Sequence, residues 1–148
     1  MRWLRRFLIV IATFVVMFGL LQLVPYGRAH SNPPVLSEPA WDSPATRALA
    51  VRACFDCHSH QTRWPWYAHV APFSWVVQKN VDNARTVLNF SDWRQSYALA
   101  PQASQSVLAR EMPPRSYRMA HPEAQLTDAE TQQLAKGLHL TFGLPWRE

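Results

Sequence analysis

The 148-residue chain has room for one domain of ordinary size, and it carries a net charge of +5. That charge is not a nucleic-acid footprint: Arg2, Arg5, Arg6 and Arg28 flank an N-terminal apolar run, and beyond them eleven basic residues face ten acidic ones. With no clustered Lys and Arg left to meet phosphates, nucleic acid is excluded as a partner.

Phe7 to Val24 forms the apolar run, with Gln22 its only strongly polar member. Its length is near the minimum for crossing the hydrocarbon core of a bilayer. The arginines ahead of it favour the cytoplasmic side, so the positive-inside rule exports everything from about Pro25 onward. Cleavage after the small residues Gly27 and Ala29 is the competing reading, and it exports the same part of the chain. Residues 1–28 are therefore expected to form an Arg-rich start and a single transmembrane anchor. In a bacterial cell this puts the N-terminus inside the inner membrane and the rest in the periplasm. Residues 29–40, AHSNPPVLSEPA, are rich in Pro and Ser and are expected to form an extended linker holding a domain off the membrane.

A mainly α domain is expected over residues 41–142, with 143–148 as a tail. Asp42 or Ser43 can cap a helix with Pro44 in its first turn, and ATRALAVRACFDCHS continues it with good helix formers. WPWYAHVAPFSW has no useful period and reads as a packed loop, becoming helical after Pro72. Ser91 is expected to cap another helix, and Pro101–Glu111 to form one that the following MPP ends. Thr127 and Glu130 spell a capping box for a last helix, with Gly137 or Gly143 as its stop. No strand is expected.

Both cysteines of the chain lie in ACFDCHSHQTRWPWY. On a helix, residues three and four apart share a face, so Cys54, Cys57 and His58 project from one turn. C-x-x-C-H is the attachment signature of c-type haem: two thiols form thioethers with the porphyrin, and the adjacent imidazole binds iron. A thioredoxin-like dithiol needs a strand feeding a helix, which the flanks lack, and zinc needs a fourth ligand and usually a second cysteine pair. One covalently attached haem is the expected cofactor, and a haem would also supply apolar surface to a thin core.

The sixth iron ligand separates electron transfer from ligand chemistry. His60 is tethered to the same side of a porphyrin as His58 and is expected to make a solvent or propionate contact. Met112, in AREMPPRSY, sits where two prolines stiffen the backbone and is the expected distal ligand. His69, Met119, His121, His139 and an open position are the alternatives. Trp64, Trp66, Tyr67, Phe73 and Trp75 follow the motif and are expected at the porphyrin edge, with Arg63 available to a propionate and Arg85 and Arg115 as further candidates. The bland reading of these aromatics is ordinary core.

CFDCHSHQTRWPWYAHVAPFSW, DNARTVLNFSDW and EMPPRSYRMAHPEAQLTDAE, taken in order, resemble the bacterial haem-binding domain family of membrane-anchored, exported c-type cytochromes. The resemblance covers about Trp41 to Leu140, with Ala84 in place of a glycine common in such proteins. It implies one haem on Cys54 and Cys57, His58 as proximal ligand, Met112 as distal ligand and a helical fold related to cytochrome c. The expected function is single-electron transfer between membrane or periplasmic redox proteins, without substrate turnover. A haem-based sensor with an open distal position, with a peroxidase as a lesser variant, and an exported thiol oxidoreductase are the rival readings.

Overall fold

The computed structural model describes residues 2–94 and 97–143. The 144–148 part of the expected tail lies outside them. Its elements are helical throughout: α1 (Arg2–Leu21), α2 (Pro44–Ala53), α3 (Phe55–His58), α4 (Phe73–Val87), α5 (Ala103–Leu108), α6 (Arg115–Ala120) and α7 (Asp128–Phe142), with 3₁₀ turns at Trp66–His69, Ala100–Gln102 and Pro122–Ala124. Among the described residues there is no strand, only an isolated bridge between Ser37 and Asp92. The chain forms two compact units, Met1–His30 with Trp64–Asn80, and Ser31–Arg63 with Val81–Glu148.

In the first unit, α1 is 20 residues long with no acidic residue, a mean hydropathy of 2.2 and no buried side chain. It is long and apolar enough to cross a membrane. Past its end, the Gln22 side chain accepts from Ala71 N–H at 2.9 Å and donates to the Ala71 carbonyl at 3.0 Å. Gly27 adopts φ +78°, and a Cβ there would meet the Ser74 carbonyl oxygen at 2.5 Å, so glycine answers both a backbone and a packing demand. His30 reaches the Ala68 carbonyl (2.9 Å) and packs on the rings of Trp64 and His69.

The second unit is built around Phe55, Phe90, Leu134 and Leu138, all essentially inaccessible. Phe90 is its centre: Phe55 lies 5.5 Å away, Trp41 5.2 Å and Phe142 6.3 Å, ring to ring. α7 packs against α5 and α2. Its capping box forms, with Thr127 Oγ1 accepting from Glu130 N–H and the Glu130 carboxylate accepting from Thr127 N–H, and Gly143 ends it in the left-handed region. Gly137 is no stop: it lets α2 approach, because a Cβ there would fall 2.0 Å from Thr46 Oγ1. Ser43 caps α2, accepting from Thr46 N–H.

Two expectations are corrected and one element is new. Ser91 caps no helix, because its hydroxyl accepts from the distant His60 N–H (2.9 Å) and the following residues turn. The helix expected to reach Glu111 stops at Leu108. Arg110 turns left-handed (φ +58°), so the amides of Glu111 and Met112 both return to the Ser106 carbonyl before the prolines act. The EMPP segment then starts a short helix, α6, that no periodicity announces.

The 31–38 stretch of the expected linker is not free chain. The Arg85 guanidinium donates to Ser31 O and Asn32 Oδ1 as well as to Ser59 O and Thr62 Oγ1, while Leu36 N–H donates to Ser91 O. Glu38 takes a two-point contact from Arg47, both bonds 2.7 Å, plus the Trp41 indole N–H at 2.9 Å.

Candidate haem site

The expected helix through the cysteines is interrupted at Cys54, whose φ of −126° ends α2 and starts α3. Its carbonyl nevertheless accepts from both Cys57 N–H (3.1 Å) and His58 N–H (2.9 Å), so the motif keeps its helical turn. Phe55 and Asp56, between the cysteines, are buried, and Phe55 anchors the turn to the aromatic core. Cys54, Cys57 and His58 keep partial exposure, and both thiols are free.

His58 is held by its inner nitrogen. Nδ1 lies 2.9 Å from the Leu88 carbonyl. A carbonyl only accepts, so Nδ1 carries the proton and Nε2 keeps its lone pair. Burial lowers the His58 pKa below the ordinary imidazole value, against the raising effect of backbone bonds to Leu88 and Ala84. The ring is thus a neutral imidazole in a fixed tautomer, as a metal ligand with an oriented second shell must be.

His60 shows the opposite arrangement. Asn89 Nδ2 donates to its Nε2 at 2.8 Å and its Nδ1 meets the Pro34 carbonyl at 2.9 Å, so both nitrogens are spent on structure.

Asp56 is the least anticipated member of the site. Its carboxylate accepts from Arg63 N–H (3.0 Å), Nε (3.1 Å) and Nη2 (2.9 Å) and from the Tyr117 hydroxyl (2.6 Å). Burial alone pushes its pKa up, but the hydrogen bonds from Arg63 and Tyr117 outweigh it and leave the group below the usual carboxylate range. Tyr117, on α6, stacks on His121 (4.2 Å). The CxxCH turn is thereby tied to the segment that follows Met112.

The remaining sequence candidates are distributed as follows. Arg63 serves Asp56, and its side chain is 60 % exposed. Trp64 and Tyr67 belong to the other unit, where Trp64 packs on His30 and Tyr67 meets Trp66 edge to face. Met112 is 42 % exposed and Met119 73 %. Arg85 spends its donors on protein oxygens. Sequence reasoning missed the Leu88 carbonyl, which has no side-chain signature, and the Asp56–Tyr117 bond, whose partners stand 61 residues apart.

These residues fit a haem. Among the described residues no set of three His, Cys, Asp or Glu side chains gathers to hold a bare ion. One oriented imidazole beside two unpaired thiols suits a metal that arrives within a macrocycle. Burial, with the neighbouring Cys57, pushes the Cys54 thiol up to about 12, and burial with Asp56 pushes Cys57 up to about 11. That is the reverse of what activates a redox dithiol.

A helical domain presenting such a turn is that of a haem protein. The chain matches the family described as haem-binding domain over residues 16–139, and it belongs to that family. Neither the curated proteins nor the solved structures contain a match to it.

Proposed function

We propose that this chain is a membrane-anchored, exported mono-haem c-type cytochrome that passes single electrons between redox proteins. Residues 1–28 serve as cytoplasmic start and anchor, 29–40 as the connection and 41–142 as the haem domain, on the periplasmic side of a bacterial inner membrane. Cys54 and Cys57 would hold the haem by thioethers, with His58 Nε2 and the Met112 thioether as the protein groups that would bind its iron. Arg63, in the same unit as the CxxCH turn, is assigned to the haem surroundings. Bound haem supplies reversible one-electron chemistry, and a thioether ligand favours its ferrous form.

The observation that carries this reading is the His58 Nδ1–H bond to the Leu88 carbonyl, which leaves Nε2 as a neutral donor in the same turn as two free thiols. The test is co-expression with haem-maturation machinery, followed by a denaturing gel. Haem should stay on the polypeptide in the native chain and be lost in the Cys54→Ser/Cys57→Ser variant. Colourless protein with both thiols open to alkylation sinks the reading.

The exposure of Met112 supports a second reading, a sensor or ligand-binding module with an open distal position. A ferric spectrum that lacks the methionine–iron charge-transfer band favours it. Loss of that band in Met112→Ala but not in Met119→Ala favours the cytochrome.

A further inference from the structure

The first unit contains a surface that the haem site does not use. In its 3₁₀ turn, Trp66 is 79 % exposed. Phe73 and Val76, three apart and so on one face of the first turn of α4, are 59 % and 57 % exposed, while Ser74 between them is buried. Tyr26, Val24 and Leu23, just past α1, are exposed too. A water-facing loop does not hold such a set without a partner.

Charge points to which partner. All ten acidic residues fall in the second unit, and the first has none over either of its segments, while Arg28 and Lys79 are exposed there. An apolar, aromatic, acid-free surface edged by cations has the composition of a protein–bilayer interface, where Trp and Tyr rings sit at headgroup level and cations meet lipid phosphates.

Continuity points the same way. Gln22, one residue beyond α1, is locked to Ala71 by hydrogen bonds in both directions, and Gly27 lies against the Ser74 carbonyl. The end of the apolar helix and the aromatic loop are thus one structure, and a membrane that receives the first lies beside the second.

We propose that Trp64–Asn80, clasped to the end of α1 by Gln22 and Gly27, docks into the lipid interface where α1 emerges, with Trp66, Phe73 and Val76 entering it. This rests on the reading of α1 as an uncleaved span. Gln22 then has a purpose: a polar residue near the end of an apolar run satisfies the loop's backbone where water is scarce.

The test uses the full chain in phosphatidylcholine–phosphatidylglycerol vesicles containing a phosphatidylcholine with a photoactivatable carbene precursor in its acyl chain. Mass spectrometry maps the lipid adducts, and a parallel sample is oxidised by hydroxyl radicals generated in the water. Adducts on α1 and on Trp66, Phe73 or Val76, with those three side chains protected from oxidation, support the proposal. Adducts on α1 alone, with Trp66 and Phe73 oxidised, overturn it and leave the surface to a protein partner. No adducts on α1 overturn the span itself, and the docking with it. Gln22→Leu makes the anchor more apolar, so it should keep the α1 adducts and lose those of the loop. Unchanged loop labelling in that variant overturns the clasp.

Discussion

Asp56→Ala tests whether the interior of the CxxCH motif is a structural joint. Asp56 is 6 % exposed, and its carboxylate takes four hydrogen bonds. The two guanidinium bonds come from a side chain that is 60 % exposed, so solvent takes their place at a cost of about 0–1 kcal/mol. Arg63 N–H and the Tyr117 hydroxyl lose their acceptor with less access to water, at about 1–3 kcal/mol each. Relief of the buried charge offsets part of this, leaving a loss of about 3 kcal/mol. Tyr117→Phe removes one bond of the set and should cost about 1–2 kcal/mol. Urea unfolding of the full chain in mild detergent at neutral pH, followed by tryptophan fluorescence, measures both. The double variant should cost less than the two single changes together, by about 1 kcal/mol, because both remove the same bond. A loss below about 1 kcal/mol for Asp56→Ala, or strict additivity, refutes the joint.

Glu38→Gln should destabilise the chain by roughly 1 kcal/mol at neutral pH, a low figure because Arg47 is 42 % exposed. Arg47's hydrogen bonds, which outweigh burial, hold the Glu38 pKa below the ordinary value. The charged form's contribution is therefore full above the unfolded carboxyl's pKa of about 4.3 and fades as pH falls through the lower folded value. The gap between native and variant unfolding midpoints should accordingly close as pH falls below the titration range of the unfolded carboxyl. Gly137→Ala should destabilise despite alanine's helix preference of about 1 kcal/mol: Thr46 is short, branched and buried, and cannot clear a Cβ at 2.0 Å, so overpacking costs about 1–3 kcal/mol. Thr46→Ala in the same chain should restore part of the loss in thermal unfolding. Arg85→Lys keeps the charge but cannot reproduce a fork that reaches Ser31, Asn32, Ser59 and Thr62, so limited proteolysis should cut within residues 31–38 sooner than in the native chain.

What the sequence disclosed follows the range of the interactions. Ser43, Thr127 with Glu130, and Gly143 act on amides and carbonyls within a few residues, so the starts of α2 and α7 could be read from the sequence, with Gly143 one of two stops offered for α7, whereas the end of α2 at Cys54 could not. The cysteine–histidine turn was legible for the same reason. Ser91 carries the same chemistry as Ser43, but its hydroxyl serves His60, 31 residues earlier, and the local rule therefore misreads it. α6 is missed because its placement rests on Tyr117 reaching Asp56, and the tautomer of His58 is missed because a carbonyl sets it.

The excess charge was assigned correctly in sequence to the ends of the apolar run, yet half of its meaning lay elsewhere. Residues 64–80 contain no acid, a fact that carries no weight in a linear reading, where Asp56 and Asp82 stand close on either side. It gains weight once Gln22 and Gly27 join that stretch to the helix end, since two segments separated by 33 residues of chain then form one surface without negative charge. Charge asymmetry is a property of folded units, and it becomes a functional argument only when the contacts have said which residues share one.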